Sequence, residues 1–576
     1  MTILRLGLAQ VNPTVGDIEG NCAKILDYVA KAAKQDVDVL AFGEMTIPGY
    51  PVEDLGSHQS FVKASAEALE KLAKDIDKAG YGAMPVVVGY MDISKRKETN
   101  KATLNRAAII HEGEVKGTYS KHHLPNYGVF DEFRVFASGN NLTIFRSHGV
   151  NIALAICEDI WQEGGPVAQI PGSGAELTLV LNGSPYETQK DDVRLNLVQR
   201  RAKESETTFA YVNLVGAQDD LVFEGDSIIV DPKGKILARA PQFKEDLLVT
   251  DLEFDDNAEP KPAKESIHGE EIIHIDLNTE PHKHEVPVKN SITPTLDNVE
   301  EVYRALVLGL RDYVRKNGMK SIVLGLSGGI DSALVATIGA DALGGENVVG
   351  ISLPSAYSSQ HSLDDAKDIA ERIGADYRVQ SIENIFNAYQ EELGLTGIAQ
   401  ENLQSRIRGT IVMGISNQEG HLAVSPGNKS EMAVGYSTIY GDSVGGFAPI
   451  KDVKKTLVWE LAKWRNKVAE ENGQKPPIPE NSINKPPSAE LREDQVDQDS
   501  LPEYDVLDAI LNLYIGKTKT KDEIVAEGFN ADEVEKVLRL VDSAEWKRRQ
   551  SAPGTKITNM SFGRDRRLPI TSKWKE

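Results

Sequence analysis

The sequence predicts an α/β protein of two domains joined by a polar segment. Short apolar runs typical of buried strands alternate with stretches of helical spacing in both halves of the chain. A chain of 576 residues is too long for one hydrophobic core. Residues 251–289, which are rich in Glu, Asp, Pro and His, separate the two halves. We therefore predict domains over residues 1–255 and 291–576, with a linker over residues 256–290.

The composition is that of an ordinary globular protein and argues against nucleic-acid and membrane partners. Hydrophobic residues make up 40% of the chain and charged residues 26%. A net charge of -23 argues against general binding to nucleic acid or to anionic membranes. The two cysteines, Cys22 and Cys157, argue against a disulfide scaffold. Because we also find no signal-peptide pattern and no apolar run of membrane-spanning length, we expect a cytoplasmic protein.

Strands and helices interleave throughout the first half. A helix is predicted over about residues 21–34. Predicted strands lie at residues 3–11, 37–42, 85–90, 107–110, 151–156, 177–181, 209–214 and 227–230. This alternation predicts sheets that are covered by helices. Reacting groups of such folds gather at the carboxyl ends of strands, so polar side chains at those positions are candidates for catalysis.

Cys157 stands at the end of the predicted strand 151–156. A cysteine there could be a buried structural residue or a nucleophile. A thiol nucleophile needs a base and a cation that stabilises first the thiolate and then an oxyanion. Glu44 and Lys121 also follow predicted strands and could fill these roles, although each alone could be a surface charge. Sequence spacing leaves both interpretations open.

In their sequence contexts, Glu44, Lys121 and Cys157 resemble the Glu-Lys-Cys triad of the nitrilase (carbon-nitrogen hydrolase) family. The resemblance covers about residues 1–255 and implies a four-layer αββα sandwich. It implies that Cys157 attacks a carboxamide carbon, releases ammonia and forms a thioester that water hydrolyses. Glu44 would be the general base, and Lys121 would stabilise the oxyanion. Gly43 departs from the family, which commonly has Pro before this Glu.

Two further stretches resemble the glutaminase domains of glutamine-dependent NAD synthetases. They are Leu-Pro-Asn-Tyr-Gly-Val-Phe-Asp-Glu at residues 124–132 and Asn-Gly-Ser-Pro-Tyr at residues 182–186. The resemblance implies that glutamine is held by Tyr127, Ser184 and Lys190. A lysine with nearby hydroxyls suits an amino-acid substrate, which brings a carboxylate and an ammonium group. Lys190 could equally be a solvated charge beside the two aspartates that follow it.

The predicted linker contains a His-Lys-His stretch. His282 and His284 could be metal ligands, but the sequence offers no second Cys or His pair nearby. We therefore interpret both as solvated linker residues. Residues 272–275 are apolar enough to form a short strand against a neighbouring sheet.

The second half predicts a doubly wound parallel sheet with a nucleotide at the carboxyl ends of its strands. The helices are predicted at residues 296–316 and 364–373. The strands are predicted at residues 321–324, 348–354, 376–379 and 422–424. A Pro-rich and acidic stretch at residues 476–499 predicts a mobile loop, either a lid that excludes water or a plain disordered loop.

A glycine-rich turn follows the strand 321–324 and leads into a helix. Its sequence is Gly325-Leu326-Ser327-Gly328-Gly329-Ile330-Asp331-Ser332. Strand, glycine turn and helix together aim free backbone N–H groups at an anion, and glycines let phosphate oxygens approach closely. No Lys precedes Ser332, so the turn is not a P-loop. Asp331 would repel phosphate unless a cation lay between them, which favours a Mg²⁺-nucleotide site over an ordinary turn.

Three later stretches carry polar side chains that suit a ligand. Asn402, Ser405 and Arg406 lie near one face of a predicted helix. Residues 425–431 (Ser-Pro-Gly-Asn-Lys-Ser-Glu) follow a strand-like run, and residues 436–446 form a glycine-rich loop. Taken singly, each could be a solvated helix or a plain turn.

Taken in order with the glycine-rich turn, these stretches resemble the synthetase domain of NAD synthetases, in the adenine-nucleotide alpha-hydrolase (N-type ATP pyrophosphatase) superfamily. The resemblance runs from about residue 291 to the end. It implies that the turn and Ser425 bind ATP, and that Asp331 and Glu431 hold Mg²⁺. It further implies contacts to deamido-NAD from Asn402, Arg406, Glu431 and Lys547. Pro426 stands where the family often has Thr before Gly-Asn-Lys.

The resemblance implies one overall reaction, the last step of NAD biosynthesis. ATP adenylylates the nicotinate carboxylate of deamido-NAD, and ammonia from glutamine then gives NAD and AMP, with pyrophosphate as the first leaving group. It also implies an enclosed passage for ammonia and a homo-oligomer formed through the synthetase domain. Two alternatives stay open: an amidotransferase of the same superfamily acting on another carboxylate or carbonyl, and a non-catalytic binding protein that has kept both folds.

Overall fold

The computed structural model describes residues 1–94, 103–188, 190–255, 264–267, 270–492 and 495–576. These residues divide into two compact units. The first contains Met1–Gln218 and Val222–Leu296, and the second contains Asp219–Leu221 and Asp297–Glu576. Residues 256–263, 268 and 269 of the predicted linker, and residues 493 and 494 of the predicted mobile loop, lie outside the described residues. Within the described ranges, no helix is both long enough and apolar enough to cross a membrane.

The first part of the chain alternates strands with helices, as predicted. Its strands are β1 (Thr2–Gln10), β2 (Val39–Phe42), β3 (Val86–Ile93), β4 (Thr103–His111), β5 (Glu114–Ser120), β6 (Asn141–Ser147), β7 (Val150–Ile156), β8 (Leu177–Asn182), β9 (Thr208–Asn213), β10 (Val215–Gln218), β11 (Leu221–Glu224), β12 (Ile228–Val230), β13 (Ile236–Arg239), β14 (Asp246–Phe254), β15 (Lys264–Ile267) and β16 (Glu270–Asp276). Its helices are α1 (Ile18–Ala33), α2 (Gln59–Lys78), α3 (Glu132–Val135) and α4 (Lys190–Ser205).

Two mixed sheets form the centre of the first unit. One has the strand order β14-β1-β2-β3-β4-β5, and the other has the order β13-β12-β9-β8-β7-β6-β16-β15. The pairs β1/β2, β2/β3, β7/β8 and β8/β9 are parallel. The carboxyl ends of these central strands therefore lie along one edge of each sheet.

The buried side chains of the first unit sort into three layers. Side chains from both sheets, including Leu6 and Leu154, form a core between the sheets. The other face of the first sheet packs on α1 and α2 through residues such as Val29 and Leu72. The other face of the second sheet packs on α4 through Val198. The order helix, sheet, sheet, helix is the αββα sandwich, so the predicted fold is confirmed.

Part of the predicted linker belongs to this sandwich. The expected strand at residues 272–275 is β16, which pairs in parallel with β6. The interpretation of His284 as solvated was wrong, because its side chain is only 2% exposed and its Nε2 lies 2.7 Å from Oδ2 of Asp38. The side chain of His282 is 52% exposed, as expected of a surface residue.

The second part of the chain is also α/β. Its strands are β17 (Ile322–Gly325), β18 (Val348–Ser352), β19 (Asp376–Val379) and β20 (Leu422–Ala423). Its helices are α5 (Asn298–Lys316), α6 (Ile330–Leu343), α7 (Gln360–Ile373), α8 (Glu383–Leu393), α9 (Ile398–Glu419), α10 (Lys429–Val434), α11 (Lys455–Glu471), α12 (Glu480–Asn484), α13 (Tyr504–Leu511), α14 (Lys521–Ala526), α15 (Ala531–Ser543) and α16 (Glu545–Arg548).

The sheet of the second unit has the order β19-β18-β17-β20, and its pairs are parallel. The chain moves from β17 outward to β18 and β19, and then returns to β20 on the other side of β17. This reversal of strand order opens a crevice at the carboxyl end of β17, which is where doubly wound folds bind their ligands. The predicted doubly wound sheet is confirmed.

The Pro-rich loop of the second unit makes defined contacts where it is described. Oε1 of Glu490 accepts a hydrogen bond of 2.6 Å from Oγ of Ser362 and lies 3.0 Å from Nζ of Lys485. Nε2 of Gln404 donates to the backbone carbonyl of Leu491 at 2.9 Å. The described residues before position 493 are therefore anchored to α7 and α9.

Candidate active sites

The carboxyl ends of strands in both sheets bring the first set of predicted residues together. Glu44 follows β2, Lys121 follows β5, Cys157 follows β7 and Gly183 follows β8. Close backbone approach between the sheets is required here, because the backbone nitrogen of Glu44 donates to the carbonyl of Asn182 at 3.3 Å. The predicted triad thus lies at one end of the sandwich.

Lys121 is the centre of this site. Its Nζ lies 2.7 Å from Oε1 of Glu44 and 2.8 Å from Oε2 of Glu132, and all three side chains are almost completely buried. Burial alone would lower the pKa of Lys121, but the attraction of Glu132 and Glu44 holds it well above its usual value. The ammonium is therefore a fixed positive charge in the site.

Glu44 is held by three donors. Besides Lys121, it accepts hydrogen bonds from Nδ2 of Asn105 at 2.6 Å and from the backbone N–H of Gly183 at 3.0 Å. A buried carboxylate with several donors has one fixed orientation, which suits a base that must take a proton from a defined direction.

Cys157 occupies a strained position beside this pair. Its φ of +44° lies in the left-handed region, which non-glycine residues rarely adopt and which is often found at functional sites. Burial, and then repulsion by Glu44, raises the pKa of the Cys157 thiol well above its usual value, while Lys121 opposes the rise. The thiol of the free site therefore carries its proton.

Asp159 fixes the backbone around the site. Its Oδ1 accepts from the backbone N–H groups of His122 and His123 at 3.0 and 2.8 Å. Its Oδ2 accepts from the hydroxyl of Tyr119 at 2.8 Å and from the backbone N–H of Ile156 at 3.0 Å. One buried carboxylate thus joins the segment that follows Lys121 to the end of β7.

The three predicted glutamine-binding residues lie in different surroundings. Tyr127 is 55% exposed, and its hydroxyl donates to Oε2 of Glu158 at 2.9 Å. Ser184 is buried, and Nη2 of Arg194 donates to its Oγ at 3.4 Å. Lys190 is partly exposed at the first residue of α4. Ser184 and Lys190 lie on either end of the loop that leads from β8 to α4.

The local packing explains why a glycine stands at position 43, where the resemblance leads us to expect proline. A Cβ atom at this position would lie 2.6 Å from Cδ2 of Leu214 and 2.9 Å from the carbonyl of Asn182. The side chain of Leu214 therefore occupies the space that a proline ring would need. Gly89 is required for the same turn, since its Cβ would lie 2.2 Å from the backbone nitrogen of Met45.

The glycine-rich turn of the second unit connects β17 to α6. Gly328 has a φ of +81°, and a Cβ there would lie 2.4 Å from the carbonyl oxygen of Ser362. Inside the turn, Oγ of Ser332 accepts from the backbone N–H of Ser327 at 3.3 Å and donates to the carbonyl of Gly329 at 3.0 Å. No side chain among the described residues caps the N-terminus of α6. Its first N–H groups thus remain available to an anion.

The two predicted metal ligands meet at a lysine that the sequence did not single out. Nζ of Lys455 contacts Oδ2 of Asp331 and lies 3.7 Å from Oε1 of Glu431. Asn428 donates from Nδ2 to Oδ1 of Asp331 at 2.9 Å, and it caps α10 through a reciprocal pair of hydrogen bonds with Glu431. Burial, and then repulsion by Asp331, raises the pKa of Glu431 to about 8, although Lys455 opposes the rise.

The other residues predicted to contact deamido-NAD converge on the loop after α10. Thr438 donates from Oγ1 to Oδ1 of Asn402 at 2.9 Å, and Nε of Arg406 donates to the carbonyl of Ile439 at 3.2 Å. Nζ of Lys547 donates to the carbonyls of Gly435 and Ser437 at 2.7 and 2.8 Å. This loop and α10 connect the three side chains to Glu431.

Ser425 lies on the opposite side of the crevice from the glycine-rich turn. It follows β20, is buried, and donates from Oγ to the carbonyl of Asp442 at 3.0 Å. The backbone N–H of Gly427 approaches the same Oγ at 3.5 Å. Pro426 between them has no N–H, so this turn presents one backbone donor fewer than a threonine there would give.

Sequence reasoning missed four residues of the two sites: Asn105, Glu132, Asp159 and Lys455. Glu132 was quoted only as the last residue of the 124–132 stretch, and no motif marked Asn105, Asp159 or Lys455. Asn428 was quoted only as part of a motif. Its spacing from Glu431 matches the capping-box pattern, which could have identified it as the residue that orients Glu431.

Both parts of the chain match known family models. The carbon-nitrogen hydrolase model matches residues 5–260, and the NAD synthase model matches residues 302–551. With the buried Cys-Lys-Glu site and the glycine-rich turn, these matches define the class of protein as a carbon-nitrogen hydrolase joined to an NAD synthase.

Relatives that match this chain over its full length identify one family within this class. The chain is 41% identical to the glutamine-dependent NAD(+) synthetase of Acinetobacter baylyi, covering 100% of this chain and 99% of that protein. It is 42% identical to the synthetase of the same name from Aquifex aeolicus, covering 99% of this chain and 100% of that protein. The solved structure of the Acinetobacter baumannii enzyme in complex with adenosine diphosphate has a TM-score of 0.73 at 38% identity and covers 99% of both chains. The chain belongs to the glutamine-dependent NAD(+) synthetase family.

Proposed function

We propose that this chain makes NAD from deamido-NAD, ATP and glutamine, with Cys157 as the nucleophile that releases ammonia. The observation that carries the proposal is the buried ammonium of Lys121 between Glu44 and Glu132, beside the thiol of Cys157. A buried lysine with two carboxylates is costly to build for stability alone. Family membership supports the same reaction.

In the first half-reaction, Sγ of Cys157 attacks the carboxamide carbon of glutamine. Glu44 takes the thiol proton, and Lys121 stabilises the negative charge that develops on the carbonyl oxygen. Glu44 returns this proton to the amide nitrogen as the tetrahedral intermediate expels ammonia and leaves a glutamyl thioester. Water, deprotonated by Glu44, then attacks the thioester, which gives glutamate, and the proton passes to the departing thiolate. The raised pKa of Cys157 supports the role of Glu44, because a protonated thiol needs a base before it can attack.

Tyr127, Ser184 and Lys190 are our candidates for holding glutamine. The hydroxyl of Ser184 is fixed by Arg194, which is buried and ion-paired with Glu224. The exposed ring of Tyr127 can cover a ligand near Cys157, because its hydroxyl donates to Glu158, the residue that follows Cys157. We assign Lys190 to the carboxylate of glutamine on charge.

In the second half-reaction, the nicotinate carboxylate of deamido-NAD attacks the α-phosphate of ATP. Pyrophosphate leaves, and the turn from Gly325 to Ser332 stabilises its charge through backbone N–H groups at the start of α6. Ammonia then attacks the carbonyl of the acyl-adenylate and AMP leaves, which gives the nicotinamide. Ser425 is our second contact to ATP. Asn402, Arg406, Glu431 and Lys547 are our contacts to deamido-NAD.

Asp331 and Glu431 fit the proposed Mg²⁺. Both offer carboxylate oxygens, the ligands that Mg²⁺ prefers, and both approach one cationic group, Nζ of Lys455. When bound, Mg²⁺ would neutralise phosphate charge and orient the pyrophosphate leaving group. Asn428 would hold both carboxylates in place, because its Nδ2 donates to Oδ1 of Asp331 at 2.9 Å and its backbone N–H donates to Oε2 of Glu431 at 3.2 Å.

The test is product formation by the purified full chain. With deamido-NAD, ATP, Mg²⁺ and glutamine, we expect NAD, AMP, pyrophosphate and glutamate in equal amounts, and no NAD when ATP is omitted. ATP cleavage with other carboxylates but not with deamido-NAD would favour a different amidotransferase of the superfamily. Failure to cleave either ATP or glutamine would favour a non-catalytic protein. Light scattering of the same preparation tests the expected homo-oligomer.

A further inference from the structure

A cluster of one carboxylate and two imidazoles lies in the first unit, away from the reacting groups. Asp38 immediately precedes β2, whereas His282 and His284 follow β16. Nδ1 of His282 lies 3.3 Å from Oδ1 of Asp38, and Nε2 of His284 lies 2.7 Å from Oδ2. One potential ligand atom from each residue lies within 4.8 Å of the other two.

The burial of the cluster requires a physical reason. The side chains of Asp38 and His284 are each only 2% exposed. Nδ1 of His284 has no hydrogen-bond partner within the described ranges, so Nε2 is the polar anchor of this buried ring. Burial of polar groups is costly unless their charges and hydrogen bonds are satisfied. A cation bound by the carboxylate of Asp38, Nδ1 of His282 and Nε2 of His284 would balance the buried carboxylate.

The surroundings of Asp38 match those of a metal-binding carboxylate. Its Oδ2 accepts a hydrogen bond of 2.7 Å from the backbone N–H of Arg5, which fixes the orientation of the carboxylate. Outer hydrogen bonds of this kind are typical of metal ligands. His282 faces solvent with 52% of its side chain exposed, so the cluster is open on one side to an ion and to water.

We propose that Asp38, His282 and His284 bind a Zn²⁺ ion. Imidazole nitrogens with one carboxylate oxygen are typical zinc ligands, whereas Mg²⁺ and Ca²⁺ prefer oxygen alone. Three protein ligands leave the fourth tetrahedral position to water. A hydrogen-bonded arrangement of the three side chains without metal would use the same contacts, and measurement of zinc binding separates the two.

The position of the cluster assigns the ion a structural role. Asp38 stands before the first residue of β2 and Glu44 after the last, so the cluster and the glutaminase site lie at opposite ends of this strand. The residues after His284 are already tied to β1 and β14, because Nη2 of Arg5 donates to the carbonyl of Val286 and Asp251 accepts from the N–H of Val288. The ion would fasten the same segment at a second point.

The test is zinc binding by the full chain without a histidine tag, in a Cys157→Ala background that removes the active-site thiol. After chelation, equilibrium dialysis against zinc chloride should give one Zn²⁺ per chain, and zinc should raise Tm relative to chelator. His282→Gln should weaken binding at least about tenfold. Because the side chain of His282 is half-exposed and the amide of glutamine can still donate to Oδ1 of Asp38, the variant should fold.

His361→Gln is the matched control, since His361 is an exposed histidine on α7. It should bind zinc as the parent does. Equal zinc affinity in the parent, His282→Gln and His284→Gln, or no zinc bound by the parent, would overturn the proposal and leave the hydrogen-bonded arrangement without metal. The readout is metal content and Tm, so it does not depend on the synthesis of NAD.

Discussion

Both sites contain a buried lysine between two carboxylates, yet the two lysines are held differently. Nζ of Lys121 lies within 2.8 Å of an oxygen of both Glu44 and Glu132. Nζ of Lys455 contacts Asp331 but lies 3.7 Å from Glu431. The ammonium of Lys121 is within hydrogen-bond reach of both carboxylates, whereas that of Lys455 is within reach of Asp331 alone.

This difference corresponds to what each reaction requires. The oxyanion of glutamine hydrolysis carries a single charge, and one fixed ammonium in a dry site can stabilise it. The pyrophosphate released by adenylylation carries several charges, which exceed what one lysine can neutralise. Glu431 lies beyond hydrogen-bond reach of Lys455, and burial and then repulsion by Asp331 raise its pKa to about 8. Such a carboxylate can exchange its proton for a divalent cation. We therefore assign a permanent cation to the first site and an exchangeable one to the second.

Among the substitutions at the two sites, Lys121→Met should have the largest effect on activity and stability. Glutamine hydrolysis should fall by roughly 10³-fold because the oxyanion loses its cation. The free energy of unfolding should fall by about 3–5 kcal/mol because two buried carboxylates lose their partner. Glutaminase kinetics and urea unfolding check both effects. Lys71→Met, at an exposed lysine of α2, is the control, and retained glutaminase activity in Lys121→Met would remove Lys121 from the mechanism.

Asp331→Asn should affect the second site alone. We expect NAD formation to fall by roughly 10²-fold with either glutamine or ammonium, because the loop loses a charge that we propose as a ligand of Mg²⁺. The Mg²⁺ concentration for half-maximal activity should rise in a titration. Asp364→Asn, at an exposed position on α7, should change neither value. An unchanged Mg²⁺ requirement in Asp331→Asn would contradict the assignment of an exchangeable cation.

The raised pKa of Glu132, the second partner of Lys121, predicts that the stability of the protein depends on pH. Burial raises the pKa of Glu132 to about 7 in the folded chain, against an ordinary value of 4.5, although Lys121 opposes the rise. The folded state therefore holds a proton that the unfolded state has released between these pH values, and the associated stability is lost as the pH rises from 5 to 7. Compared with Glu132→Gln, the parent should lose roughly 1–3 kcal/mol of unfolding free energy over this range. If urea unfolding gave parallel profiles of unfolding free energy against pH for the two proteins, this prediction would be contradicted.

Tyr127→Phe should give the smallest effect. It removes a hydroxyl that donates to Glu158 at the edge of the first site, while Lys121 and Cys157 stay intact. KM for glutamine should rise by about three- to tenfold with little change in kcat. Tyr440→Phe, at an exposed tyrosine of the second unit, should leave KM unchanged. A fall in kcat with constant KM would instead place Tyr127 in the chemistry.

Much of the fold could be predicted because central strands have continuous apolar sequences. The predictions at residues 151–156 and 177–181 correspond to β7 and β8, whose residues are all buried. β14 was not predicted. It lies at the edge of its sheet with acidic residues at Asp246 and Glu253, so its sequence resembles a polar loop until β1 pairs with it.

The sites were predictable only where motifs carried them. Glu44, Lys121 and Cys157 were identified by their resemblance to a family, and their roles remain predictions. Lys455 lies 124 residues from Asp331, and no local pattern separates it from other lysines. His284 was misinterpreted for the same reason, since its partner Asp38 lies 246 residues earlier. Pairings at such separations arise only when the chain folds.

The most direct test of the central claim compares nitrogen sources in Cys157→Ala. We predict that NAD formation with glutamine falls at least about 10³-fold, because the substitution removes the nucleophile that we propose for the thioester. NAD formation with ammonium should stay within about twofold of the parent, since the second site is intact. Cys22→Ala, at the partly buried second cysteine, should keep both activities. Glutamine-dependent NAD formation by Cys157→Ala at the rate of the parent would contradict the account.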